Sequence, residues 1–177
     1  RNLLELPHQG IAAGGDLDYM HRDRWHDFSV LGTSLTTRAH TRDYLQATGY
    51  FMGAGGIPGL SERNRVLASL HVGRTAGDGA DRFNAFRISG GPFPSEADDF
   101  SRQDYAGTVF DDVLVTNYAM ASLAYRRELN FFMYLTLRGS CIRAERATLM
   151  EPDQVAFRTR SGVSGTVSLD SAFPWNS

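Results

Sequence analysis

The sequence contains no lysine, so all 18 basic residues are arginines, set against 20 acidic residues. Cys141 is the only cysteine, which excludes an internal disulfide and a cysteine-cluster zinc site. No stretch approaches the roughly 18 apolar residues that a membrane-spanning helix needs. The formal net charge of −2 and the pI of about 6.2 lack the basic excess of nucleic-acid-binding proteins, so we expect no nucleic-acid partner.

Glycine and aromatic residues are plentiful by contrast, with 18 glycines and 11% aromatics, whereas proline is limited to 6 residues. Together with 42% hydrophobic residues, this composition favours long β-strands. Apolar and polar side chains alternate with a period of two in about seven segments. The predicted strands are Ile11–Trp25, Val30–His40, Tyr44–Gly53, Arg65–Arg74, Val113–Leu129, Phe131–Cys141 and Val163–Trp175.

Turn-forming residues separate these segments. Gly53–Gly59, Thr75–Asp81, Glu128–Asn130 and Glu151–Asp153 are predicted to be turns or short loops. Residues 82–112 are different, because about thirty residues without clear periodicity are typical of a functional loop. No domain boundary is apparent, so residues 1–177 are predicted to form one β-structure with a long loop.

Two environments produce a period of two. A soluble sheet buries its apolar face, whereas a membrane barrel turns that face to lipid and the polar face to a watery lumen. Long strands, charges within the polar stripe and aromatics near the ends of the apolar stripe favour the barrel. These charges are Asp16, Asp18, Arg22, Arg38, Arg126 and Arg138, and the aromatics include Tyr19, Trp25, Phe51, Tyr125 and Trp175.

We therefore predict an all-β fold, an antiparallel up-and-down transmembrane β-barrel, present as part of a larger barrel. Because bacterial barrels close with an even number of strands, about seven strands leave open edges. The start at Arg1 and the end at Ser177 lead us to expect a fragment. The open alternative is a soluble β-barrel or sandwich that binds a small apolar ligand.

Three segments add a family resemblance. They are Phe86-Arg87-Ile88-Ser89-Gly90-Gly91-Pro92, Ser101–Gly107 with Arg102 and Tyr105, and a strand ending Tyr125-Arg126-Arg127-Glu128-Leu129. In this order they resemble the C-terminal barrel of the bacterial surface antigen family, the outer-membrane assembly and translocation superfamily. The resemblance covers roughly residues 60–177. In place of the family's tip glycine, Gln103 follows Arg102.

The resemblance implies an outer-membrane protein that inserts or translocates client proteins and is not itself an enzyme. It implies that residues 82–112 fold into the lumen and that about two closing strands follow Ser177. It also implies soluble periplasmic repeats ahead of the barrel. The residues expected to line the lumen or dock the loop are Arg87, Gly90, Gly91, Arg102, Tyr105, Arg126, Glu128 and Arg138.

Catalytic and metal motifs are weak in this sequence. His21 and Asp23 share a predicted strand face, and His26 lies close by, but such a pair is most often solvated, so no metal site is predicted. No Gly-x-Ser-x-Gly elbow and no phosphate-binding loop occurs, and no cofactor is expected. An outer-membrane lipase of the patatin type, with its catalytic domain upstream of such a barrel, remains a further alternative.

Overall fold

The computed structural model describes residues 9–22, 28–30, 33–35, 42–77, 85–88, 105, 113–130, 133–151 and 154–171. Within these ranges the chain forms only strands and turns, and no helix there is long and apolar enough to cross a membrane. The strands are β1 (Gly10–Arg22), β2 (Phe28–Val30), β3 (Thr33–Leu35), β4 (Arg42–Gly56), β5 (Asn64–Ala76), β6 (Phe86–Ile88), β7 (Val113–Asn130), β8 (Met133–Glu151) and β9 (Gln154–Ser171).

Antiparallel pairing joins β1, β4, β5, β7, β8 and β9 in that order, and β6 pairs with β7 to complete a 7-stranded sheet. Strands β2 and β3 form a separate small hairpin between β1 and β4. The described strands β1 and β9 lie at the two edges, so the sheet is not closed. The prediction of an all-β antiparallel up-and-down sheet is thus confirmed.

The two faces of this sheet differ sharply in character. Because side chains opposite each other in an antiparallel pair point to the same face, the strand register assigns every residue to one side. We call one side the apolar face; it carries Ile11, Leu17, Tyr19, Leu45, Phe51, Leu70, Val72, Leu123, Leu137, Val163, Val167 and Leu169. The other is the polar face; it carries Asp16, Tyr50, Ser69, His71, Ser122, Arg126, Thr136, Arg138, Ser140 and Ser164.

The turn between β4 and β5 illustrates how local sequence fixes the register. Leu60 N donates to Ile57 O at 3.1 Å, with Pro58 and Gly59 between them. Gly59 has a φ of 83°, the value that the third position of a type II turn requires, and proline suits the position before it. Asn64 N then donates to Ser61 O at 3.0 Å, which leads the chain into β5.

A short strand interrupts the predicted loop 82–112. β6 pairs with the first residues of β7, just beyond the point where the pairing of β5 with β7 ends. β6 therefore occupies the same position in the sheet as β5, on the same side of β7. Ile88 and Val115 are fully buried there and pack with Tyr118 and Ala144. The ring of Phe86 meets the ring of Tyr118 edge-on, with centroids 5.4 Å apart. This cluster is the small hydrophobic core of the described chain.

Several predicted boundaries were wrong. Val30–His40 is not one continuous strand, because Val30 at the end of β2 pairs with Thr33 at the start of β3, and residues 31–32 and 36–40 lie outside the described residues. β8 runs beyond the predicted Cys141, and β9 starts well before Val163. The backbone pairing continues there although arginines on both faces remove the alternation. The predicted turn at Glu128–Asn130 belongs to β7, which bulges against β8 at this point.

A second bulge lies between Val115 and Tyr118. The alternation along β7 predicts Val115 on the apolar face, but the bulge places it on the polar face. An extra residue in one strand shifts all side chains beyond it by one step. Val115 therefore packs beside Tyr118 rather than joining the apolar stripe of β7.

Candidate functional site

The polar face is built as rows of side chains that run across the strands. One row consists of serines from four neighbouring strands: Ser69, Ser122, Ser140 and Ser164 are register partners in turn. Ser69 and Ser122 are joined by a hydrogen bond of 2.6 Å between their hydroxyls. Ser140 and Thr136, on β8, are only 5% and 4% exposed. The polar face is therefore the more buried side of the sheet.

Tyrosine rings cover glycines on the same face. The ring of Tyr50 lies over its register partner Gly14, and the ring of Tyr118 lies over Gly73. A Cβ atom at Gly14 would come within 2.6 Å of the Tyr50 ring. Tyr50 also stacks on His71, with ring centroids 6.3 Å apart. Glycine opposite an aromatic residue is a known way to fix register and curvature in β-sheets.

Tyr105 reaches the polar face from the segment between β6 and β7. Its hydroxyl oxygen lies 2.6 Å from the position that a Cβ atom on Gly162 would occupy. It packs against the core cluster together with Ile142, the register partner of Gly162. Part of this segment therefore lies across β8 and β9 on the polar side.

Arginines collect at one end of the polar face. Arg65 and Arg126 are directly opposite each other on β5 and β7, and Arg126 Nε donates to Thr136 Oγ1 at 3.2 Å. Arg138 lies one row further along. Since like charges in register repel, this end of the face attracts anions. Glu128 lies nearby and lines, with Arg65, an open depression of about 520 Å³ beside the β4–β5 turn.

Polar residues also mark one border of the apolar face. On each of the six long strands, one polar side chain follows the end of the apolar stripe at this border. We call these six residues the polar border; in sheet order they are His21, Asp43, Arg74, Asn117, Arg143 and Ser161. His21 Nδ1 lies 2.5 Å from Asp43 Oδ1, and Tyr19 donates to the same oxygen at 3.1 Å.

A hydrogen-bonded network holds the bulge of β7 at this border. Thr116 Oγ1 donates to Glu145 Oε2 at 3.0 Å, and the side-chain amide of Asn117 donates to the same oxygen. Asn117 Oδ1 in turn accepts from the backbone N–H of Thr75 at 3.1 Å. Asn117 thus ties β5, β7 and β8 together where the ladder is interrupted.

The structure brings some of the predicted site residues together. Arg126, Glu128 and Arg138 lie near one another on the polar face. Tyr105 lies at the opposite end of that face, and Arg87 is exposed on β6. Gly90, Gly91 and Arg102 lie outside the described residues. Lumen lining and loop docking by these residues stay predictions.

Sequence reasoning missed other residues of interest. His21 pairs with Asp43, a partner that only the register of β1 and β4 reveals, whereas Asp23 lies outside the described ranges. Asn117 and Arg143 of the polar border, and Glu145 beside them, were missed because the alternation within each strand does not show which residues of different strands lie side by side. No group of three potential metal ligands occurs among the described residues.

The chain was compared with known protein families, with curated proteins and with solved structures, and none of them matches it.

Proposed function

We propose that this chain forms part of the wall of a transmembrane β-barrel in the bacterial outer membrane. The observation that carries the proposal is the reversed polarity of the sheet. Val163 is 85% exposed and Leu17 is 68% exposed on the apolar face, whereas polar Thr136 and His71 are buried on the other. A sheet folded in water buries its apolar face, so lipid is the solvent that matches this pattern.

The tilt of the apolar face supports the same proposal. On β9 the apolar stripe ends at Val163, next to polar Ser161. The register partners of Val163 on the following strands form one row across the sheet: Cys141, Ala121, Leu70, Phe51 and Ala13. On β1, however, the stripe continues past Ala13 to Tyr19. The border therefore shifts by about six residues over about five strand steps, which corresponds to a strand tilt of about 40°. Transmembrane barrels have tilts of about 35–45°.

The height of the apolar face fits a bilayer as well. The stripe of β1 runs from Ile11 to Tyr19, or about 27 Å along an extended strand. At a tilt of about 40° this rises about 21 Å along the barrel axis, comparable to the lipid-facing band of about 25 Å in outer-membrane barrels. Tyr19 and Tyr125 end their stripes, as interfacial aromatics do.

A role in inserting or translocating client proteins is the more specific part of the proposal. It rests on the resemblance of residues 86–92, 101–107 and 125–129 to the bacterial surface antigen family. The contact of Tyr105 with the polar face supports a loop that folds over the lumen. In this proposal, sheet edges guide client strands while the loop controls access to the lumen.

Flotation with lipid vesicles tests the barrel proposal. We expect the full-length protein to float with phosphatidylcholine vesicles and to resist extraction at high salt. A water-soluble monomer that stays at the bottom of the gradient would contradict it. That result would favour the soluble barrel that binds a small apolar ligand.

Client insertion needs a separate assay. Vesicles that carry the protein are expected to accelerate folding of an urea-unfolded, eight-stranded outer-membrane barrel relative to empty vesicles. Arg102→Ala should slow this reaction, and the exposed Arg127→Gln should not. Equal rates with and without the protein would contradict the insertion role while leaving the barrel proposal intact.

A further inference from the structure

We propose that the apolar face carries a binding site for an anionic phospholipid, with Arg74 and Arg143 holding its phosphate. This inference rests on the barrel proposal, because it requires that the apolar face meets lipid. The site is a shallow depression of about 660 Å³ that spans β4 to β9 at the polar border. Small-molecule sites commonly measure about 300–1,000 Å³.

Small residues create the depression. Ala47, Gly49 and Ala119 lie on the apolar face of adjoining strands, where the neighbouring rows carry larger side chains such as Phe51 and Leu70. With little side chain above the backbone at these three positions, in two adjacent rows of register partners, the sheet surface is lowered there. Val72 lines the same depression, so its floor is apolar towards the middle of the band.

Charge is concentrated at the other side of the depression. Arg74 pairs in register with Asn117, and Arg143 pairs with Ala119, so the arginines flank β7 within about 12 Å at the backbone. Both side chains are exposed, and neither forms an ion pair with any residue in the described ranges. Two guanidinium groups at the edge of an apolar depression complement a phosphate that carries acyl chains.

Glu145 is the carboxylate that lines this depression. Its Oε2 atom already accepts hydrogen bonds from Thr116 and Asn117 on β7. The charged groups at the site therefore sum to one excess positive charge. The polar border also lies at the depth at which the headgroups of a bilayer would meet the protein. An anionic headgroup with its chains along Val72 fits both the charge and the depth.

Native mass spectrometry of the protein released from mixed micelles tests the site. The micelles hold phosphatidylglycerol and phosphatidylcholine in equal amounts. We expect the wild-type protein to retain phosphatidylglycerol preferentially. The double variant R74Q/R143Q should lose affinity by about fivefold for each arginine removed. Arg127→Gln is the matched control, because Arg127 is exposed on the same face at the opposite border.

The possible outcomes separate the two proposals. Equal retention by the wild type and R74Q/R143Q, or equal loss in R127Q, would overturn the lipid site. Displacement of the lipid by an equal concentration of inorganic phosphate would overturn the assignment to a lipid. If the variants float with vesicles and the wild type shows no lipid preference, only this inference fails. If no variant enters vesicles, the barrel proposal fails and the lipid site fails with it.

Discussion

The aromatic ring of Tyr118 covers Gly73 across the β5–β7 pair so closely that a Cβ atom at residue 73 would lie 2.1 Å from the ring. Tyr50 covers Gly14 in the same way across β1 and β4. Both rings lie on the polar face. The glycines thus provide the space in which the rings lie against the sheet, and each ring fixes the position of its strand relative to its neighbour.

Gly73→Ala is therefore expected to destabilise the sheet. The added methyl group must displace the Tyr118 ring, and overpacking of this kind costs about 1–3 kcal/mol. Gly139→Ala is the control, since a Cβ atom at residue 139 meets no atom within 4 Å. Urea unfolding of the vesicle-bound protein measures both effects. A similar loss of stability in the two variants would mean that the close approach of the ring to Gly73 does not constrain the fold.

Much of the sheet could be predicted from the alternation. β4, β5 and β7 appear at nearly the expected residues because each has an apolar stripe on one side. The extensions of β8 and β9 could not be predicted, because Arg143, Arg146, Arg158 and Arg160 make both faces polar while backbone hydrogen bonds continue the ladder. Pairing in these extensions depends on the partner strand and not on a periodic pattern.

The candidate sites were less predictable than the strands. Arg126 and Arg138 fall on the polar face as the period of two predicts. The bulge at Thr116 and Asn117, however, has no signal in the sequence, and it moves Val115 to the other face. The groove at Arg74 and Arg143 needs the register of several strands at once. The pattern of one strand does not predict contacts between residues that are far apart in the sequence.

A charge on the apolar face should block membrane assembly. Val167→Lys places an ammonium group on a residue that is 74% exposed, where the barrel proposal puts lipid. Lysine in the lipid-facing band costs about 2–4 kcal/mol near the midplane. Thr166→Lys, one residue away on the polar face, should be tolerated. Vesicle flotation compares the two variants, and equal effects would contradict the assignment of the faces.

Tyr105 is expected to hold the segment between β6 and β7 against the polar face. Tyr105→Ala removes a ring that packs on the core cluster and reaches over Gly162, so proteolytic cleavage between residues 89 and 112 should become several-fold faster. Tyr105→Phe keeps the ring and should behave nearly as the wild type does. Unchanged cleavage in Tyr105→Ala would show that the contact does not hold the segment.

The two sides of the sheet can be compared most directly with one fluorescent probe in vesicles. Cys141, the single cysteine, is exposed on the apolar face, and Thr166 is exposed on the polar face. A probe on Cys141 should be quenched by brominated acyl chains and protected from iodide. In the variant C141S/T166C, the same probe should be quenched by iodide and protected from brominated chains. Quenching of both probes by iodide alone would contradict the claim that the apolar face meets lipid.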